Sequence, residues 1–188
     1  ILGLSIEQNL QPTVQWYLDL GLTKRQITKA VASHARILIY SIEQNLQPTV
    51  QWLFDLGLTK RQIAKTVATH PQILGLSIKQ NLKPTSRWLQ KFGVSDKRLQ
   101  RLITHWPRFL GFSLANKLEP AALLLESFCP PKGARAREII ARNPEILRFS
   151  HKRLAARLRI LSSHKASKVY YAMCLTDALF EQRFGSER

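Results

Sequence analysis

Twenty-nine lysines and arginines against twelve carboxylates give this 188-residue chain a formal charge of +17. The cations are not scattered. Lys24-Arg25 recurs as Lys60-Arg61, and Lys29, Lys65 and Arg101 share a column one turn further on. Side chains of this kind neutralise phosphates without reading bases, and a periodic row of them suits a polyanionic backbone. So large a surplus points to nucleic acid before a membrane surface, with a merely solvated basic face as the bland alternative. Lys97 and Arg98 continue the pattern. The density then rises: residues 132–168 hold eleven cations and two carboxylates, among them Arg135, Arg137, Arg142, Arg148, Lys152, Arg153, Arg157 and Arg159. The centre of a polyanion site is expected there. On a helix starting at Ser150, Arg153 and Arg157 stand one turn apart beside the stripe Leu154, Leu158 and Leu161. With Arg142 and Arg148 they are expected to face phosphates, since Glu145 is the one carboxylate near them in that reading.

Other chemistry is thinly represented. Trp16, Trp52, Trp88 and Trp106 have the faces to stack on unpaired bases. Three of them recur at one period beside apolar stripes, which favours packing between repeats. His34 and His70 recur at helix ends with no second histidine at metal spacing, so they read as packed residues and not as ligands. Gly111-Phe112-Ser113 lacks the second glycine of a nucleophile elbow, and its serine fits a helix cap. No phosphate-cradling glycine loop, acidic pair or nucleophile–base pattern occurs, so neither catalysis nor a cofactor or metal is expected. Cys129 and Cys174, far apart, read as thiols in a reducing compartment.

The elements that carry these residues repeat. A shift of 36 residues superposes Ser5, Ser41, Ser77 and Ser113, then Pro12, Pro48, Pro84 and Pro120, then Gly21, Gly57 and Gly93. Residues 1–36 and 37–72 are identical at 27 of 36 positions. Each unit reads as two helices and a tight apolar link. Thr59 with Gln62 and Ser77 with Gln80 are capping boxes, Pro71 stops the helix between them, and Ile73, Leu74 and Leu76 form the link. The prolines, two turns into the first helix of each unit, are expected to bend it. Apolar residues at helical spacing include Ile6, Leu10, Val14, Tyr17 and Leu20 on the first helix, and Ile27, Val31 and His34 on the second. The pattern is that of an all-α protein, an α-solenoid of about 36-residue repeats in one array over 1–188. Its units lie near 1–36, 37–72, 73–108 and 109–145, with a final helix and C-terminal cap over 146–188. Cys129-Pro130-Pro131 interrupts the fourth unit where earlier units carry a glycine cap. No apolar run reaches the length of a membrane span. The chain opens inside a repeat at Ile1, as expected of a piece preceded by further repeats and a targeting peptide.

The unit Pro-x-Ile-Leu-x-x-Ser-(six)-Pro-(three)-Trp-Leu-(three)-Gly-Leu/Val-Thr/Ser, with an Ile/Leu-(three)-Val/Ile-(three)-Pro helix after it, resembles the repeat of the mitochondrial transcription termination factor (mTERF) family. The resemblance runs from Ile1 to about Leu161, and Leu175 to Phe184 resembles that family's C-terminal segment. Ala35 in place of proline and the Cys-Pro-Pro insertion depart from it. The resemblance implies a curved, left-handed superhelix whose basic side holds nucleic acid in mitochondria or, alternatively, plastids. Family roles include transcription, RNA splicing and ribosome assembly, so double-stranded DNA, structured RNA and organellar ribosomal proteins are the implied partners; no oligomer is implied. A protein-interaction scaffold, for example a structural component of an organellar ribosome, is the second reading. Base-by-base reading of single-stranded RNA is disfavoured because the first two units are nearly identical.

Overall fold

A computed structural model describes residues 10–128, 134–161 and 166–184 of the chain. Among them all regular structure is helical. The expected cap at Ser5, Ile6 of the first stripe and the Cys129-Pro130-Pro131 insertion lie outside the described residues.

Each repeat is built by local rules. A serine opens it: the hydroxyls of Ser41, Ser77 and Ser113 accept from the amides of Gln44, Gln80 and Asn116, each at 3.1 Å. The return contact that would complete a box at Ser77 is not formed, so that cap is one-sided. The backbone beyond the serine departs from the expected α-helix. It forms a π turn, Ile42–Leu46, Ile78–Leu82 and Leu114–Leu118, in which the amide bonds five residues back. An α-helix starts only then, with the repeat proline as its second residue. These helices are α1 (Gln11–Leu20), α3 (Gln47–Asp55), α5 (Lys83–Lys91) and α7 (Glu119–Ser127). The proline therefore begins an α segment instead of interrupting one. Proline has no N–H, and its ring presses on the carbonyl four residues back. Opening the preceding turn by one residue moves that carbonyl aside, which is how π turns are tolerated at such positions.

Gly21, Gly57 and Gly93 then turn the chain with φ of 103°, 84° and 85°. That left-handed conformation is one a Cβ penalises. Three second helices start at once, α2 (Lys24–Ser33), α4 (Lys60–Thr69) and α6 (Asp96–His105), and the fourth is α8 (Ala134–Arg142). Thr23 and Thr59 are complete capping boxes with Gln26 and Gln62. The links after these helices are 3₁₀ turns, Ala35–Leu38, Pro71–Gly75, Pro107–Gly111 and Pro144–Arg148. They are core, not connection: Ile37, Ile73, Leu74, Phe109, Leu110, Ile146 and Leu147 are all buried.

The chain groups into two compact units, 1–84 with 100–111, and 85–99 with 112–188. In the first, α2 lies against α4, and the links Ala35–Leu38 and Pro107–Gly111 both touch Pro71–Gly75. Tyr17 is fully buried and its hydroxyl donates to the Ile37 carbonyl at 3.1 Å. Of the expected stripes, Tyr17, Leu20 and Ile27 are buried, while Leu10, Val14, Val31 and His34 are half-exposed and Ala30 takes the inner position. The glycine turn sets the register between repeats. A Cβ on Gly57 would sit 2.7 Å from Gln100 Nε2, which donates to the Leu56 carbonyl at 2.8 Å. In the second unit, α9 (His151–Leu161) packs its stripe Leu154, Leu158 and Leu161 fully inside. Helix α10 (Ala166–Cys174) rests on α8 and α9. Val169, Met173, and Phe180 and Phe184 of α11 (Asp177–Phe184) are buried, while Tyr171 is exposed.

Candidate nucleic-acid interface

The second helices present the basic ridge. Lys24, Arg25 and Lys29 on α2 and Lys60, Arg61 and Lys65 on α4 are all exposed, on two helices that pack together. Their inner sides are occupied by Ile27 and Ala30, and by Ile63, Ala64 and Val67. That burial turns the lysines and arginines outward. Among the described residues, Arg25, Lys29, Arg61 and Lys65 have no carboxylate within ion-pair distance. Arg101, in the same compact unit, is also exposed. Lys24 and Lys60 stand on the ridge beside their arginine neighbours.

The second unit has its own cations. Lys97, Arg98, Arg137 and Arg142 are exposed, and Arg98 donates to the Arg142 carbonyl, which brings two arginines together at the end of α8. Glu138 pairs with Arg142 at 3.1 Å, one turn back on that helix. Lys152 and Arg159 are exposed on α9, and Arg135 is half-buried.

Three of the arginines expected to face phosphates make contacts within the fold: Arg157 is buried, and Arg148 and Arg153 are half-buried. Arg157 is only 3% exposed. Its guanidinium donates to the carbonyls of Ala172, Met173 and Leu175 at 2.6, 3.3 and 2.9 Å. It also pairs with Asp177 at 2.5 Å and lies 4.4 Å from the Phe180 ring centre. Arg153 reaches the same Leu175 carbonyl, and both Arg153 and Arg148 lie over the Phe149 ring. The reason is the end of α10: carbonyls of a last helical turn run short of backbone donors, and a cationic donor satisfies them. Ala172 also accepts from the Leu175 amide at 3.3 Å. Half-buried Lys117 likewise turns to the Phe149 carbonyl, and burial pulls its ammonium pKa down. The charge surplus of 132–168 is thus partly internal, and its exposed share is smaller than its count of cations.

The aromatic and histidine columns are structural to different degrees. Trp52 is 7% exposed, Trp16 and Trp88 are half-buried against Tyr17 and Phe92, and Trp106 is 41% exposed. His34 and His70 cap α2 and α4; His34 Nε2 lies 3.0 Å from the Tyr40 hydroxyl. Burial, with Arg108 and His34 nearby, lowers the pKa of His70. Cys174 is an exposed free thiol, and Cys129 lies outside the described residues. No helix of the described residues is long and apolar enough to cross a membrane.

Set beside known families, residues 1–175 match the mTERF model. The chain belongs to the mTERF family. Membership makes it an all-α helical-repeat protein with a nucleic-acid-related role in organellar gene expression, mitochondrial or plastid. A search of curated proteins gave no match. In this mTERF chain the ridge of α2 and α4 is visible as a 36-residue column in the sequence. The Glu138–Arg142 pair is also legible as an i,i+4 spacing. The Arg157 cluster has no such signal, because its acceptors are mostly backbone carbonyls beyond residue 170.

Proposed function

We propose that this protein holds nucleic acid in the mitochondrion through phosphate contacts along its second helices, the alternative compartment being the plastid. The observation that carries the reading is the repeated set Arg25, Lys29, Arg61 and Lys65, exposed and without carboxylate partners among the described residues. Arg101 extends it in the first unit, and Lys97, Arg98, Arg137 and Arg142 supply a second set. Exposed Lys152 and Arg159 belong to the proposed site as flanking cations. Arg157 leaves it, Arg153 and Arg148 are committed within the fold, and half-buried Arg135 is marginal. Contacts of this type release counterions and track a backbone without reading sequence. Structured RNA, ribosomal RNA included, and duplex DNA both present the required phosphates.

Competition among duplex DNA, duplex RNA and single-stranded RNA for the purified chain at fixed salt tests the reading. One of the duplexes is expected to win. Preference for single-stranded RNA would contradict it and point instead to stacking on an exposed ring such as Trp106. Co-sedimentation with organellar ribosomes, before and after nuclease, then separates a ribosomal site from a free factor.

A further inference from the structure

The outer face of α7 breaks the repeat. The column that holds Gln15, Gln51 and Arg87 in earlier units holds Leu123 here, which is 63% exposed. The column of Gln11, Gln47 and Lys83 holds Glu119, and that of Leu18, Phe54 and Gln90 holds Glu126. Glu119, Ala122, Leu123 and Glu126 therefore form one stripe at i, i+3, i+4 and i+7, apolar in the middle and acidic at both ends. Facing it are Trp88 on α5 and Phe92 in the turn just after that helix, with ring centres 4.6 Å from each other. The two stripes line a groove of about 200 Å³ within one compact unit, enough for an aliphatic side chain. Neither glutamate has an ion-pair partner among the described residues.

We propose that this groove docks an amphipathic helix of a protein partner bearing an aliphatic anchor between two cations seven residues apart. The charge selects the class. Two unpaired carboxylates repel a phosphate backbone, so the groove does not extend the basic ridge, and they repel an anionic lipid surface for the same reason. A helix laid along α7 advances about 1.5 Å per residue, so cations at i and i+7 are spaced about 10.5 Å apart, as Glu119 and Glu126 are along their own helix. The apolar residue at i+3 or i+4 then falls between Trp88, Phe92 and Leu123, the register of helix-in-groove recognition. The remainder of the chain is strongly basic and repels such a helix at long range. At physiological salt that repulsion is screened beyond about 8 Å, leaving the local glutamates to decide.

The probe is a fluorescent, alanine-based helical peptide with arginines at i and i+7 and leucines at i+3 and i+4, titrated by anisotropy into the full chain. Its control keeps the composition but moves one arginine to the opposite face. The in-register peptide is expected to bind at least tenfold tighter than the control. Leu123→Gln, and separately Glu119→Gln with Glu126→Gln, are each expected to weaken it at least tenfold. Glu119 and Leu123 are exposed and Glu126 is half-buried, so unchanged melting curves are expected; if a variant melts early, the two peptides compared on the unaltered chain decide alone. Absent binding, equal binding of both peptides, or well-folded variants that bind as the unaltered chain does would overturn the proposal. Sedimentation completes the test. Self-association of the chain that Leu123→Gln abolishes would make the groove a contact between copies and would also overturn it.

Discussion

Replacing Arg157 by methionine keeps most of the hydrocarbon stem and removes the guanidinium. Three carbonyls, of Ala172, Met173 and Leu175, then lose a charged donor, and Asp177 loses its partner. The ion pair itself contributes little, because the Asp177 side chain is 87% exposed and water screens it. The carbonyls matter more, since a hydrogen bond to a charged group contributes about 1.5–3 kcal/mol. Leu175 keeps Arg153 and Ala172 keeps the Leu175 amide, which leaves Met173 as the acceptor that loses its donor. A cavity of about 470 Å³ opens on Arg157 itself, lined also by Lys152, Ile160 and Phe180, so water can enter the space that the guanidinium leaves. The expected cost is therefore that of one or two such bonds, roughly 2–4 kcal/mol. For a chain of this size that lowers the melting temperature by roughly 4–16 °C. The loss should be local, with amide protection falling first over residues 166–184, while Asp177→Asn costs under about 1 kcal/mol. Circular-dichroism melting and hydrogen exchange read both variants. A melting shift below a degree with unchanged protection of α10 and α11 would refute the reasoning that Arg157 is a structural pin.

Gly57→Ala forces a left-handed alanine and pushes on Gln100 Nε2, so it should cost about 1–2 kcal/mol or more, read from urea unfolding. Tyr17→Phe orphans the buried Ile37 carbonyl and should cost about 1 kcal/mol by the same measurement. The pKa of His70 is lowered in the folded chain, so the unfolded chain takes up a proton first as pH falls through about 6.5. Folding stability should decline below that pH and be flat for this group above it; His70→Gln should remove that part of the decline in melts from pH 7.5 to 5.

Much of this fold is legible because its rules are local. Thr23 and Thr59 with glutamine three residues on, Ser113 as a cap, and the stripe Leu154, Leu158 and Leu161 each depend on neighbours within one or two turns. Proline two turns into a helix satisfies two geometries equally, a kinked α-helix or a π turn with a fresh α start. The carbonyl that decides between them is placed by the fold, not by composition. The link Ile73-Leu74 is visible as apolar but not as a 3₁₀ turn, because so short a run carries no periodicity. The α2–α4 ridge is legible for the same reason as the repeat. Arg157 is not: a charged residue beside an apolar stripe reads as a flank, and only the docking of α10 supplies the carbonyls that draw it inward.

The central claim, phosphate binding by the second helices, is tested most directly by the salt dependence of affinity. The unaltered chain and a variant with Arg25, Lys29, Arg61 and Lys65 all changed to glutamine are titrated with one duplex over a salt series. Each phosphate contact contributes about 0.7–0.9 to the slope of log K against log salt. The variant should bind more weakly at every concentration, with a slope shallower by about 3. A variant with the affinity and slope of the unaltered chain would contradict the account, placing the polyanion on some other face.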